Sequence, residues 1–453
     1  MNRRARWRFA VPLILGACAS AQTVQTAKPT VRHHRAEIAA DQYSPEMRQA
    51  EDAIDAKDYA AAEKLLSTLT GKDATNYRAW FDLGLVAHAQ GRTDDAIASY
   101  RKAVTAKPDV FESNMNLGLM LAQAKNAEAA TFLRAATKLQ PSGNADKELA
   151  RAWFSLGHVL DGTKDETKSE EAVTSYREAI RLQPNDPEFH LALATSLQRQ
   201  SDAKAAAEEE FQRARALAST ANDAASTNIA DQATVALANL YMEQKRFADA
   251  EAMLRKLSER NTDGAVARIQ LGRVLAAEGK YDDAATEMQA GLKLAPNDAS
   301  VIRDLADVDL LAKKFPAAEP LYRQLLASQP NDPELHYSLG KSLLDQRKFA
   351  EAQAEFLTAV KLKPGFGEAY GDLAVAADQN KDYGVVPPAL DARDKILGAL
   401  PFGYFLRATA YDHLRDKKNA AIQYHKFLDA AAGKFPDQEW QAKHRLIAIE
   451  PKR

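Results

Sequence analysis

The sequence predicts an all-α solenoid of stacked helix-turn-helix repeats. Similar segments recur about every 34 residues, as at 80–108, 271–296, 305–330 and 333–364. Within each, apolar residues fall at helical spacing: Leu335, Leu339 and Leu343, then Phe356, Ala359 and Val360. No stretch alternates like a strand, while Ala, Leu, Glu, Lys and Gln abound. A helix pair of this size cannot bury its apolar stripe alone, so it needs a copy on each side.

Segment 333–364 shows how one repeat is built. Its two helices meet at the turn Asp345-Gln346-Arg347-Lys348. Gly340 and Ala352 are small where the helices must cross closely. Pro364 stops the second helix, because it lacks an N–H and disfavours helix in the residue before it.

Composition excludes several classes. The 453 residues carry a net charge of −2, so no basic field invites nucleic acid. A single cysteine excludes an internal disulfide framework and a Cys-rich metal site.

Residues 1–21 read as an export signal, with Arg3, Arg4, Arg6 and Arg8, an apolar run over 9–17 and then small residues. The run is too short to span a bilayer. Cys18 ends it in Leu15-Gly16-Ala17-Cys18, which resembles a bacterial lipobox and implies a lipidated Cys18. Cleavage after Ala21 would instead discard Cys18, and a misassigned start would leave a cytoplasmic protein; all three readings stand. The first two place the protein in the periplasm or at the outer membrane. Residues 22–42 lack apolar periodicity and read as a flexible tether, with His33-His34 a solvated pair.

Eleven repeat units follow. The first subarray, 43–220, holds units 43–76, 77–110, 111–141, 149–186 and 187–220, with a polar insertion at 161–170. The small polar stretch 219–230 interrupts the phase, and a linker is expected at 221–230. The second subarray, 231–436, holds units 231–263, 265–298, 299–332, 333–366, 367–400 and 401–436. Pro387 and Pro388 fall near the start of a second helix, where proline is tolerated. Residues 437–453 form a capping helix and tail, with Asp437 as N-cap and Trp440 and Ile447 on the covering side.

The unit 77–110 carries Trp80, Leu83, Gly84, Ala96, Tyr100, Ala103 and Pro108. This pattern resembles the tetratricopeptide repeat. The resemblance implies a right-handed superhelical α-solenoid whose first helices line a concave side that binds proteins or peptides. The residue two before the leucine of each Leu-Gly, or its equivalent, is Met47, Phe81, Met115, Phe154, Leu191, Val235 and Ile269 along the array, an apolar run. Leu85 and Leu119 lie two after it, and the short polar Asp82, Asn116 and Ser155 just before it. The expected partner groove is therefore Phe81, Asp82, Leu85, Met115, Asn116, Leu119, Phe154 and Ser155. Some relatives hold a peptide backbone with an asparagine ladder, but here only Asn116 matches. No lysine occupies the column of Met47 and Phe81, which excludes that form of carboxylate clamp.

No glycine-rich phosphate loop, Gly-x-Ser-x-Gly elbow or His-Glu-x-x-His is present. His88, His158, His190, His336 and His413 fall in first helices of different repeats and read as structural. The reading is a non-enzymatic interaction scaffold or assembly factor of the bacterial envelope. It has no cofactor or metal, binds proteins or peptides but no nucleic acid, and meets the membrane only through an N-terminal lipid. A component of a polysaccharide or pilus secretion machine and an unrecognised envelope enzyme are the alternatives.

Overall fold

A computed structural model of the protein describes residues 44–450 apart from 162–164, 201, 222 and 263. The expected signal, Cys18 and the tether lie outside the described residues. Every regular element among the described residues is an α-helix, and successive helices stack as antiparallel helix-turn-helix pairs. The chain divides into two units, the first ending at Gln244 and the second beginning at Lys245.

In the first unit α1 (Pro45–Asp55) pairs with α2 (Tyr59–Lys72), α3 (Tyr77–Ala89) with α4 (Thr93–Ala106), and α5 (Phe111–Gln123) with α6 (Ala129–Ala136). Then α7 (Ala145–Leu160) pairs with α8 (Glu166–Leu182) and α9 (Pro187–Gln198) with α10 (Lys204–Ala218), before α11 (Ala224–Glu243). The second unit opens with α12 (Phe247–Arg260). There α13 (Ala265–Ala277) pairs with α14 (Tyr281–Leu294), α15 (Ala299–Leu311) with α16 (Phe315–Ser328), and α17 (Pro333–Asp345) with α18 (Phe349–Leu362). Next come α19 (Gly367–Gln379) with α20 (Val386–Leu397), α21 (Pro401–His413) with α22 (Lys417–Ala431), and α23 (Pro436–Ile449).

Small residues set the pairing. An added Cβ at Gly84 would lie 2.7 Å from the Tyr100 ring, and one at Gly340 would lie 2.7 Å from Phe356. Ala96 and Ala352 are fully buried, as are the other second-helix alanines Ala250, Ala284 and Ala318. The turn inside most pairs passes through one left-handed residue, Lys57, Lys125, Lys313, Arg347, Lys381 or Arg415, or a glycine as at Gly91 and Gly279.

First helices also fasten the turn that precedes them. Trp80 donates from Nε1 to the Ala74 carbonyl at 3.0 Å, and Asn114 from Nδ2 to Pro108 at 2.7 Å. His190 and His336 place Nε2 3.0 Å from the Pro184 and Pro330 carbonyls. All four occupy the same repeat position and reach back six residues.

Four expectations are corrected. The stretch 221–230 is not a linker throughout: α11 begins at Ala224, where Asp223 accepts from the Ser226 N–H at 2.9 Å and starts a helix through the polar, small-residue segment. The fourth pair begins at Ala145 rather than at residue 149, because Asn144 caps α7 by accepting from the Lys147 N–H at 3.2 Å. In α23, Trp440 and Ile447 face outward at 61% and 71% exposure, so they are not the covering side. Ala442 is buried and Leu446 and Ile449 pack on the core beneath, while Arg445 grips Asp412 through two 2.6 Å contacts. Phe435, not Asp437, is the N-cap residue.

Candidate functional site

The first helices α5, α7 and α9 frame a pocket of about 270 Å³ in the first unit. Each contributes a face at helical spacing, so the pocket follows from repeat geometry rather than from an insertion. Its wall holds Met115, Leu119 and Ala122 from α5, Phe154 and Val159 from α7, and Phe189 from α9. Phe154 stacks on Phe189 with centroids 4.9 Å apart and meets Tyr176 at 5.8 Å. These contacts fix its ring in place. The His158 ring lies nearly parallel to that of Phe154, with centroids 6.5 Å apart and planes within 20°.

The rim is polar and carries both signs. Lys147, Arg151, Ser155 and His158 line it from α7, and Gln183, Asp186 and Glu188 from the α8–α9 turn. Burial pushes the Asp186 and Glu188 carboxyls above their ordinary range. Arg151 opposes both shifts by its charge, and for Asp186 hydrogen bonds from the Glu188 and Phe189 N–H groups do so too.

The eight residues expected to form a groove divide between core and pocket. Phe81 and Leu85 are each 2% exposed and belong to the core, with Phe81 against Tyr100 at 5.5 Å. Asp82 is buried with them. Its carboxyl is pushed up to about 8, first by burial and then by the nearby Glu51 charge, with Arg78 opposing. Asn116 is also buried. Met115, Leu119, Phe154 and Ser155 do line the pocket.

Sequence reasoning missed Lys147, Arg151, Asp186, Glu188 and Phe189. A signal for two of them was present. Arg151 and Glu188 occupy the same place in successive repeats, five before Leu156 and Leu193, with opposite charges. Lys147 was lost because the repeat was started after it.

The histidines hold structural places. His190 and His336 each set Nδ1 2.6 Å from a second-helix carboxylate, Glu210 and Glu355, while Nε2 meets the turn carbonyl. His413 stacks on Tyr383 at 4.1 Å. No cluster of three or more His, Cys, Asp or Glu suited to a metal is found among the described residues. No described helix is long and apolar enough to cross a membrane.

Known proteins resemble parts of this chain. A family profile described as tetratricopeptide repeat matches residues 47–111 and 337–385. One matched segment lies in each unit. A second profile, described as the tetratricopeptide repeat protein 21 C-terminal ARM domain, matches residues 158–342. Cellulose synthase operon protein C of Xanthomonas axonopodis pv. citri is 27% identical over 300 residues, 59% of this chain. The chain covers only 19% of that protein's length. Cytochrome c-type biogenesis protein CycH of Bradyrhizobium diazoefficiens is 31% identical over 132 residues, 28% of this chain and 33% of its own. Among solved structures, MamA from Desulfovibrio magneticus RS-1 is 20% identical, with a TM-score of 0.34 over 37% of this chain and 93% of that one.

Proposed function

We propose that the protein is a non-catalytic interaction scaffold that holds partner segments against the first helices of its first unit. The carrying observation is the pocket of Met115, Leu119, Phe154 and Phe189, an apolar concavity on a stack of tetratricopeptide repeats with convergent polar groups at its rim. A site of that make-up suits recognition: apolar walls supply affinity, and a few polar groups supply orientation. Replacing Leu119 and Ser155 with Asp places charge on the pocket wall without touching the buried core. That variant loses at least about tenfold in partner affinity, since one well-buried apolar contact is worth about 1.5–3 kcal/mol. Its helical circular dichroism stays that of the wild type. Undiminished partner capture by the folded variant moves the site elsewhere.

The work is assembly in the bacterial envelope, reached by export and anchored through lipid on Cys18, the cysteine that ends the apolar run of the signal. Replacement of Cys18 with Ser abolishes acyl labelling and releases the protein from membranes; a wild type that never labels removes the anchor. The likeness to a cellulose synthase operon protein over 59% of the chain favours a second, narrower reading, a component of a polysaccharide secretion machine. Co-purification with a glycan-synthesising complex tests it.

A further inference from the structure

We infer that the pocket takes one bulky apolar side chain of an extended segment that carries an acidic residue beside that anchor. This inference rests on the scaffold reading and specifies its partner. Volume sets the first half of the motif. About 270 Å³ gives room for a bulky apolar side chain such as Phe, Leu or Met. Met115, Leu119, Phe154 and Phe189 offer carbon and thioether surface to whatever enters, and Gln123 and Ser155 also line the pocket. Phe154 packs against Phe189 and Tyr176, so the slot is preformed and the anchor meets little ordering cost.

Charge sets the second half. Asp186 and Glu188 on the turn side already feel the Arg151 guanidinium. Lys147, one helical turn before Arg151 on the same rim, is exposed and makes no ion pair among the described residues. An approaching carboxylate therefore finds on the α7 side a cation that no ion pair among the described residues holds. The acid accordingly lies on the side of the segment that passes α7. Such a rim charge steers encounter and fixes direction, and its effect falls with salt.

The test uses the full chain and fluorescein-labelled synthetic nonapeptides in fluorescence anisotropy. Their centre is Phe, Leu, Ala or Lys in a Gly/Ser background, with Asp, Asn or Lys two residues away on either side. Phe- or Leu-centred peptides bind about tenfold to a hundredfold more tightly than the Ala-centred one. A neighbouring Asp improves binding by about threefold, and that gain disappears at high salt. Lys147→Glu, a change at an exposed position, reverses the preference from Asp to Lys, and Phe154→Ala removes the anchor preference. Equal binding of Phe- and Ala-centred peptides, or an Asp preference that survives Lys147→Glu, overturns the inference. If no peptide binds while the Leu119 and Ser155 variant still loses its partner, the motif is wrong but the scaffold reading stands.

Discussion

At the scale of the residue, the sharpest chemistry sits under the site rather than in it. Asp82 was expected to face a partner, yet it is 4% exposed beside Tyr100. Burial holds its carboxyl up to about 8, well above the ordinary carboxylate value of 3.8. The unfolded chain binds no proton there above the ordinary value, while the folded chain keeps one. Stability from this group is therefore full below about pH 4 and is lost progressively as pH rises toward 8. Asp82→Asn keeps the shape without the ionisation. The variant gains melting temperature over wild type at pH 7, gains nothing at pH 4, and flattens the pH profile between; thermal scans across that range check it. His190 shows the opposite sign. Burial disfavours its charge, but the Glu210 carboxylate and the Pro184 carbonyl outweigh that and raise its pKa. Its contribution is full below the ordinary histidine value and is lost as pH rises through the raised one.

At the scale of the element, each helix pair depends on what stands at its crossing and in its stripe. In most first helices the residue four after the leucine of Leu-Gly, or its equivalent, is apolar and buried, as Leu121, Leu275 and Leu343 are. In α15 that place holds Asp309, 1% exposed, with neither carboxylate oxygen hydrogen-bonded. Burial raises its pKa, against the pull of Lys314. A buried polar group without a partner costs about 1–3 kcal/mol, and Leu refills the stripe with apolar surface. Asp309→Leu is therefore stabilising by about that amount, as denaturant midpoints at constant m-value will show. An unchanged or lowered midpoint would mean that Asp309 has a partner in solution. The terminal helix follows the same logic. In α23 the crossing place, Gly340 in α17 and Ala408 in α21, is taken by Lys443. A long charged side chain there prevents the close approach that a second helix needs. The sequence reading sought the cap in the largest residues, Trp440 and Ile447, but the inner stripe is Ala442, Leu446 and Ile449.

At the scale of the whole molecule, repetition made most of the fold legible. Pro364, Gly340 and Ala352 speak through local geometry, which one chain segment determines by itself. Boundaries were read less well, because caps such as Asn144 and Asp223 recruit polar residues into helices that periodicity alone ends too early. The candidate site was half legible. Spacing identified Met115, Leu119, Phe154 and Ser155 as sharing a side, but burial depends on the next repeat's packing. A column position therefore gave no warning that Phe81 and Leu85 sit in the core. The opposite charges of Arg151 and Glu188 acquire meaning only when three first helices come together. The central claim is that partner segments lie against those helices, and site-resolved photocrosslinking tests it most directly. A benzophenone amino acid replaces Leu119, His158 or the exposed Arg177 on second helix α8, one at a time, in the full chain expressed in its own cells. The account predicts that Leu119 and His158 crosslink to the same partner peptide by mass spectrometry and that Arg177 does not. Crosslinks confined to Arg177, or equal at all three positions, would contradict it.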